Sequence, residues 1–286
     1  MQKNKKNKSL YIPTYVRGTA KTLAFVSDKW AAKFALNLFD KPIKFPMPDR
    51  EKQMDTFSTQ YYMVLPQTDK EICVYEWGNG SKKALLIHGW NGRGTQLCMI
   101  AKALIEKDYT IYSYDAPGHG KAKNSRSLMT DFIDAAFELQ KKVGDFDVVI
   151  GHSLGGMSTI NAISRGLKTQ KAIVISAGDI IQDIIDDFVV QLGLPKKVGK
   201  TMKHLFEKKY NNQVEDYTVH KQAQKIDIPV MVIHDKHDKD VPYTAGENIA
   251  KNLRNGHWHL TEHLGHRKIL RDEKIIKKIV TFSMDK

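Results

Sequence analysis

From about residue 60 onwards, short apolar runs rich in β-branched and aromatic residues alternate with helical patterns. The runs are EICVYEW, KKALLIHG, YTIYSYD, DVVIGHS, KAIVISAG, IPVMVIHD and HWHL, and the helical stretches include residues 129–143 and 267–284. Buried strands that alternate with helices imply a mostly parallel, doubly wound sheet with helices on both faces. In such a sheet, functional groups gather on loops at the carboxyl ends of the strands. The pattern therefore predicts an α/β fold and indicates where its site lies.

The chain length of 286 residues suits one α/β domain that carries an insertion. About fifty residues separate Gly178 from Pro229, too many for a simple crossover. This segment holds an apolar stripe with a period near 3.6, formed by Ile180, Ile181, Ile184, Ile185, Phe188, Val189 and Leu192. We predict a helical cap insertion over residues 179–225 and a sheet core over 59–178 and 226–286. Cap helices can shield an apolar substrate site, although most of this stripe is expected simply to pack on the body.

The first 58 residues are predicted to form a basic helical extension followed by a linker. Leu23, Val26, Trp30, Phe34 and Leu38 recur at helical spacing and make one apolar face. The face favours packing on the main domain over an interfacial membrane helix, so we expect at most weak peripheral membrane association through it. Three prolines in KPIKFPMP then end the helical pattern and indicate the linker.

The charge and the cysteines exclude several classes of protein. The formal net charge is +13, of which +7 falls in the first sixty residues, but no zinc-finger spacing or RNA-binding aromatic motif accompanies it, so no nucleic-acid partner is predicted. Cys73 and Cys98 form neither a CxxC motif nor a disulfide framework. The start of the chain lacks a clean apolar run, and no stretch reaches 18 apolar residues. A cytoplasmic protein is expected.

VVIGHSLGG places Ser153 between a buried strand and a helix, in the pattern G-x-S-x-G. A serine on so sharp a turn needs neighbours without a Cβ, which Gly151 and Gly155 supply. The turn lifts the serine Oγ clear of the sheet at the positive end of a helix. Because this motif has its required strand–turn–helix context, it predicts a nucleophilic serine.

A serine nucleophile requires a base, an acid that orients the base, and donors for an oxyanion. LLIHGW ends a strand at His88-Gly89-Trp90, whose backbone N–H groups are candidates to face the serine, and the N–H of Leu154 follows the serine directly. The base is expected late in the chain, where His257, His259, His263 and His266 occur. His266 is favoured because it sits in a Gly-led loop before the last helix. His257 and His259 form an HxH pair, but without a further ligand set a metal site is not predicted.

The loop IHDKHDKDVP, residues 233–242, follows another strand and holds three aspartates and two histidines. Asp235 lies nearest the strand end, and Asp238 stands three residues before Val241-Pro242, so both remain candidates for the orienting acid, with Asp240 less favoured. Residues crowded into one short loop can rarely all turn onto one ion. We therefore predict a polar loop in which one aspartate orients the base, rather than a metal cluster. His234 and His237 are then loop residues and not ligands.

The chain order of HGW, DAPGHG, GHSLGG, DxxVP and a GH before a final helix resembles the α/β-hydrolase fold superfamily, over roughly residues 60–284. It is most similar to cap-bearing serine hydrolases of the esterase and lipase kind. The resemblance implies a triad and an oxyanion hole, and it implies no cofactor and no metal. It selects Asp238 through the D-x-x-V-P pattern, and it assigns Asp115 and His119 of DAPGHG a structural role. The implied site residues are Ser153, His266 and Asp238 for catalysis, Trp90 and Leu154 for the oxyanion, and His88, Gly89 and Trp90 for substrate binding.

The expected function is serine hydrolysis of an ester or related acyl bond in a small, apolar substrate. Carboxylesterase, lipase, thioesterase, carbon–carbon bond hydrolase and aminopeptidase activities remain open, because a fold alone does not decide among them. The alternative is a non-catalytic protein that binds a ligand or a membrane surface on a hydrolase scaffold. Arg93 of HGWNGRG is interpreted as a solvated or loop-bracing residue rather than an anion ligand. The sequence leaves the oligomeric state open.

Overall fold

The computed structural model describes residues 12–285. Its eight-stranded sheet has the order β1-β2-β4-β3-β5-β6-β7-β8. The strands are β1 Thr59–Leu65, β2 Lys70–Trp77, β3 Lys82–Ile87, β4 Tyr109–Asp115, β5 Phe146–His152, β6 Thr169–Ile175, β7 Val230–Asp235 and β8 Gly256–Thr261. β2 runs antiparallel to β1 and β4, and every other pairing is parallel. The predicted mostly parallel sheet is confirmed.

Twelve α-helices occur in the described residues. They are α1 Thr14–Val26, α2 Asp28–Phe39, α3 Asp49–Phe57, α4 Cys98–Ile105, α5 Met129–Val143, α6 Leu154–Ser164, α7 Ile181–Gln191, α8 Lys197–Tyr210, α9 Val219–Ala223, α10 Tyr243–Asn252, α11 Gly265–Lys268 and α12 Glu273–Met284. None of these helices is long and apolar enough to cross a membrane.

The core of the sheet is formed by strands whose side chains are almost all buried. Every residue of β4 and of β7 is buried, as expected for strands covered by helices on both faces. One apolar cluster packs β3, β5 and β6 against α4 and α12. The terminal stretch, predicted as one helix, is instead divided before α12. Asp272 accepts hydrogen bonds from the N–H groups of Lys274 and Ile275 and so caps the start of α12.

The chain divides into two compact units, and the division differs from the predicted one. One unit contains the chain up to Asp40 together with Ile180–Thr218, and the other contains Lys41–Asp179 and Val219–Lys286. The predicted extension and most of the predicted cap therefore belong to a single helical unit. Its core joins alanines of α1 and α2 to apolar residues of α7 and α8.

The predicted single helix near the start of the chain is two helices. α1 ends at Val26, Ser27 adopts an extended backbone, and α2 begins at Asp28. The predicted apolar face is divided as well. Leu23, Phe34 and Leu38 pack on the core of the helical unit, whereas Val26 and Trp30 are exposed.

The predicted linker after Lys41 is extended over residues 41–48 but is firmly held, and α3 follows it. The Ile43 N–H donates to Asn91 Oδ1 at 2.7 Å, and Arg93 Nη2 donates to the carbonyls of Phe45 and Pro46 at 2.6 and 3.2 Å. Arg93 thus braces this segment, in agreement with its interpretation from sequence.

Candidate active site

Ser153 lies at the junction of β5 and α6, where the chain turns sharply. Its backbone has φ 54° and ψ −119°, a strained conformation for a residue with a side chain. A Cβ at Gly151 would lie 2.3 Å from the carbonyl oxygen of Gly155, and one at Gly155 would lie 2.2 Å from that of Ile87. The two glycines of the motif are therefore sterically required. The Ser153 N–H donates to the Ile175 carbonyl at 2.9 Å, which ties the turn to the neighbouring strand.

His266 and Asp238 form a hydrogen-bonded pair. His266 donates from Nδ1 to Asp238 Oδ2 at 2.8 Å, and the side chain of Asp238 is fully buried. The other oxygen, Oδ1, accepts the N–H groups of Asp240 at 2.8 Å and Val241 at 3.0 Å. The D-x-x-V-P spacing thus has a physical reason, because the acid uses one oxygen to hold its own loop and the other to orient the histidine.

The electrostatics of Asp238 favour its ionised form. Burial alone would raise the pKa of this carboxyl, but hydrogen bonds from His234 and His266 outweigh burial and hold the pKa far below its usual range. A carboxylate that stays ionised can fix the imidazole with its Nδ1–H towards the acid, which leaves Nε2 to accept a proton.

Asp235, the alternative acid, has a different set of partners. It accepts the His237 N–H at 2.9 Å, the Thr261 hydroxyl at 2.7 Å and the Leu264 N–H at 2.9 Å. Burial would raise its pKa, but these hydrogen bonds lower it. Asp235 therefore ties β7 to β8 and to the loop that carries His266.

His152 holds the loop of His266 next to the serine turn. Its ring packs on the His266 ring with centroids 4.7 Å apart, and its Nε2 donates to the His266 carbonyl at 2.8 Å. Among the hydrogen bonds of residues 12–285, none joins the Ser153 hydroxyl to the His266 ring. Catalytic hydrogen bonds are often long before substrate binds and tighten in the complex. The structure thus places the two loops next to each other, and the hydrogen bond between Ser153 and His266 is expected to form when substrate binds.

The loop after β3 approaches the same turn. A Cβ at Gly89 would lie 3.0 Å from Ser153 Cβ. The Gly89 N–H is already used, because it donates to Gln96 Oε1 at 2.8 Å. The N–H groups of Trp90 and Leu154 donate to no group of residues 12–285. These are the two donors that the sequence predicts for an oxyanion hole.

The side chain of His88 has no access to a substrate. It is fully buried, accepts the Ala116 N–H on Nε2 at 3.1 Å and lies with Nδ1 2.7 Å from the Gly89 carbonyl. His88 therefore braces the loop between β3 and the Trp90 N–H. The predicted contact between this side chain and substrate would need a solvent-accessible surface that it lacks.

Asp115 and His119 of the DAPGHG loop have structural roles. Asp115 is buried and accepts the Tyr75 hydroxyl at 2.8 Å and the N–H groups of Gly94 and Lys121 at 2.6 Å each. The His119 ring packs edge-on to Trp90, with centroids 5.0 Å apart. These contacts fit the interpretation from sequence.

Three supporting residues have no clear signal in the sequence. His152 precedes the nucleophile within the motif, Gln96 holds the Gly89 N–H, and His234 lies with Nε2 3.4 Å from Asp238 Oδ2 and 3.1 Å from the Val241 carbonyl. The sequence predicts His234 to be an ordinary loop residue. It is instead a buried residue at the end of β7 that supports the acid.

One group of residues has metal-ligand geometry. Single ligand atoms of Asp238, Asp240 and His266 lie within 4.8 Å of one another. Two of these residues already form the hydrogen-bonded pair described above, so an ion would have to replace that bond. Within the described part of the chain, His257 and His259 belong to no such group.

Gly246 in α10 provides space for His234, and its replacement by alanine tests this contact. A Cβ at Gly246 would lie 2.5 Å from His234 Nδ1, so His234 would be displaced from Asp238. We expect Gly246→Ala to lower the free energy of unfolding by about 1–3 kcal/mol, as overpacking does. Gly18→Ala is the matched control, since a Cβ on this glycine of α1 meets nothing within 4 Å. That variant is expected to be stabilised by about 0.5–1 kcal/mol. Equal urea midpoints for the two variants would contradict this account of His234.

Three buried histidines make the fold sensitive to acid. Burial lowers the pKa of His88 well below its ordinary value, that of His119 to about 4 and that of His152 to about 3. In the unfolded chain these rings bind protons near pH ~6.5. Between the folded and unfolded pKa values the unfolded state binds more protons, so the free energy of unfolding falls as the pH falls.

We expect acidification from about pH 7.5 to about pH 5 to lower the free energy of unfolding by about 2 kcal/mol for each of His119 and His152, and His88 to act in the same direction. Urea denaturation at the two pH values measures this loss. In His119→Phe the loss should be smaller by about 2 kcal/mol, because one titrating ring is gone. An unchanged loss in this variant would show that His119 does not contribute.

Comparisons with known proteins concern the fold and the family rather than the geometry of the site. The sequence profile of the alpha/beta hydrolase family matches residues 84–206, a span that includes Trp90 and Ser153 but not Asp238 or His266. No curated protein sequence matches the chain.

Similar solved structures include an esterase from Pyrococcus furiosus, with 15% identity, coverage of 84% of this chain and 97% of that one, and a TM-score of 0.65. An esterase from Exiguobacterium antarcticum has 15% identity and a TM-score of 0.62, and the alignment covers 79% of this chain and 100% of the esterase. A bromoperoxidase from Bacillus anthracis has 17% identity and a TM-score of 0.61, and the alignment covers 79% of this chain and 100% of the bromoperoxidase. At these identities the likeness establishes the fold.

Proposed function

The chain belongs to the α/β-hydrolase superfamily, and on that premise we propose that it is a serine hydrolase that cleaves ester or related acyl bonds of small substrates. The observation that carries the proposal is the 2.8 Å hydrogen bond from His266 Nδ1 to the buried, ionised Asp238, in a loop held beside the strained turn of Ser153. Backbone strain of this kind clusters at active sites, and a strained strand-to-helix turn is the arrangement that presents a nucleophilic Oγ at a helix N-terminus.

In the proposed mechanism, the Ser153 Oγ attacks the carbonyl carbon of the substrate while His266 Nε2 takes the hydroxyl proton. The tetrahedral oxyanion accepts hydrogen bonds from the N–H groups of Trp90 and Leu154. Collapse of this intermediate breaks the bond to the leaving group, which receives the proton from His266. Water then attacks the acyl-enzyme by the same route, and its proton passes through His266 to the serine as the acid product leaves.

Asp238 stays ionised through both halves of the reaction. It stabilises the imidazolium that forms on His266 and keeps the ring in one tautomer. Its second oxygen is held by two backbone N–H groups, so the carboxylate cannot rotate away without breaking its own loop. This arrangement supports catalysis better than it supports a binding protein, which has no use for a buried acid–base pair.

A panel of p-nitrophenyl esters of rising acyl length, beside a thioester and an amino-acid amide, tests the proposal and narrows the substrate class. We expect ester turnover, and we expect a fluorophosphonate probe to label the chain at Ser153, as peptide mapping would show. Absence of both turnover and labelling would favour the alternative of a non-catalytic binding protein on the same scaffold.

A further inference from the structure

The helical corner between α1 and α2 exposes large apolar side chains. Phe25 is 94% exposed, Val26 63% and Trp30 55%, and they lie within six residues of one another across the break at Ser27. The side chains that these two helices bury completely are small, namely Ala20, Ala31, Ala32 and Ala35. Leu23, Phe34 and Leu38 pack on the core of the helical unit, as in an amphipathic helix, whereas Phe25, Val26 and Trp30 are left outside it. A cluster of exposed apolar residues of this kind marks an interaction site.

Exposed lysines accompany these apolar residues along α1 and α2. Lys21 lies one helical turn before Phe25, Lys29 directly precedes Trp30, and Lys33 follows Trp30 by three residues. Asp28 is the only acidic residue between residues 12 and 39, and Lys197 pairs with it at 2.7 Å. The corner therefore combines aromatic and aliphatic side chains with unbalanced positive charge. We name this surface, formed by Lys21, Phe25, Val26, Lys29, Trp30 and Lys33, the corner patch.

We propose that the corner patch binds the surface of an anionic phospholipid membrane. Lysines at this position attract anionic headgroups, and Phe25, Val26 and Trp30 can enter the boundary between headgroups and acyl chains, where amphipathic aromatic rings are favoured. The exposed fraction of Phe25 shows that almost no protein atoms surround it, so it projects from the protein. A fluid lipid surface accepts a projecting side chain without a preformed cavity.

A second copy of the chain is a poorer partner for the same surface. A symmetric contact would place the patch of one copy on that of the other. The lysines of both copies would then face each other around an apolar centre without acidic partners, and like charges at close range oppose association. Anionic lipid supplies the missing negative charge, which is why charge complementarity favours it.

Co-sedimentation of the full chain with vesicles tests the proposal. We use phosphatidylcholine vesicles with and without about 30% phosphatidylglycerol, at about 0.15 M salt. We expect binding to the phosphatidylglycerol vesicles, weak binding to pure phosphatidylcholine, and release at about 1 M salt, where surface charges are screened.

Two pairs of variants separate the apolar and the charged contributions. Phe25→Ser with Trp30→Ser should weaken vesicle binding at least about tenfold, because two buried aromatic rings are lost. The matched control is Phe57→Ser with Val64→Ser, which removes comparably exposed apolar groups elsewhere and should bind as the unchanged protein does. Lys29→Gln with Lys33→Gln should reduce the dependence on phosphatidylglycerol. Its control, Lys102→Gln with Lys107→Gln, removes the same charge from exposed positions far along the chain.

Fluorescence then shows whether the corner patch itself enters the lipid. Vesicles with brominated acyl chains should quench part of the tryptophan emission, and Trp30→Phe, which keeps an apolar ring, should bind but lose that quenching. Failure of the unchanged protein to bind phosphatidylglycerol vesicles would overturn the proposal, as would full binding by the Phe25→Ser, Trp30→Ser variant. A third outcome is that the unchanged protein self-associates but does not bind vesicles, and that the Phe25→Ser, Trp30→Ser variant no longer self-associates. This outcome would assign the corner patch to a second copy of the chain and would also overturn the membrane proposal.

Discussion

Replacing Ser153 by alanine should lower ester turnover at least about 10⁴-fold, because no other hydroxyl can form the acyl-enzyme. Labelling by a fluorophosphonate should disappear in the same variant. The substitution removes one oxygen atom and leaves the strained backbone unchanged, since alanine and serine have similar costs at φ 54°. The variant should therefore fold, which its unfolding midpoint in urea can verify. Loss of both signals in a folded protein is the result expected when the hydroxyl that forms the acyl-enzyme is removed.

Ser158→Ala is the matched control for this experiment. Ser158 lies in the same helix, α6, and its hydroxyl donates to the Leu154 carbonyl at 2.8 Å rather than facing the site. We expect its turnover and labelling to remain within about twofold of the unchanged protein, as for a hydroxyl that only bonds back to its own helix. Turnover by Ser153→Ala equal to that of Ser158→Ala would reject the proposed mechanism.

The nucleophile turn and the order of the site residues could be predicted because their signals are local. Gly151 and Gly155 stand four residues apart, and a Cβ at either position would lie too close to backbone oxygen atoms. The motif itself therefore specifies the turn. The acid loop has a comparable local rule, in which Asp238 Oδ1 binds backbone N–H groups two and three residues ahead. Patterns enforced by steric contact and by short-range hydrogen bonds are readable in one sequence.

Features that depend on distant segments could not be read in this way. The union of α1 and α2 with α7 and α8 joins parts of the chain more than 140 residues apart, and no local pattern specifies which stripe meets which. The sequence pattern does not predict β1, because β1 is an edge strand with several exposed side chains and lacks the continuous apolar run of the inner strands.

The residues that support the site fall between these cases. His152 lies inside a readable motif, yet its contact with the His266 carbonyl spans 114 positions in the sequence. The HGW motif predicts a substrate contact for His88, but the motif specifies the loop and not the direction of each side chain. Burial of His88 is a tertiary fact, and it changes the role of this residue from contact to brace.

The two neighbouring aspartates of the loop after β7 should respond differently to the same substitution. Asp235→Asn places an amide N–H₂ among groups that already donate, because Asp235 accepts from His237, Thr261 and Leu264. We expect this variant to lose about 1–3 kcal/mol of folding free energy, the cost of leaving buried donors unsatisfied. Assayed well below its unfolding midpoint, it should retain most of its kcat. A loss of kcat without a loss of stability would identify Asp235, rather than Asp238, as the orienting acid.

In a metal-dependent reaction, Asp238, Asp240 and His266 would be ligands of an ion, whereas in the serine mechanism Asp238 and His266 act as an acid–base pair. Asp240→Asn distinguishes these two mechanisms. Asp240 belongs to the group with metal-ligand geometry, but the hydrogen bond from His266 Nδ1 goes to Asp238 Oδ2. Under the serine mechanism its kcat/KM should stay within about threefold of the unchanged protein, as for a substitution outside the reacting groups. If an ion bound by Asp238, Asp240 and His266 carried the reaction, loss of one carboxylate ligand would cost far more, about 10–100-fold or beyond.

Asp238→Asn should abolish most of the activity while the fold persists. The asparagine can keep its oxygen on the N–H groups of Asp240 and Val241, so the loop is retained. Its amide nitrogen then faces His266 Nδ1, where two donors oppose each other, and the imidazole is driven to the tautomer that carries its proton on Nε2. A ring protonated there cannot take the proton of Ser153. We expect kcat to fall by about 10³–10⁴-fold with little change in KM, since the acid acts on the base and not on substrate binding. The urea midpoint should fall, because the ionised carboxylate that His234 and His266 stabilise is lost, but the variant should stay folded under assay conditions. Activity that survives in Asp238→Asn but is lost in Ser153→Ala would mean that His266 is oriented by another group.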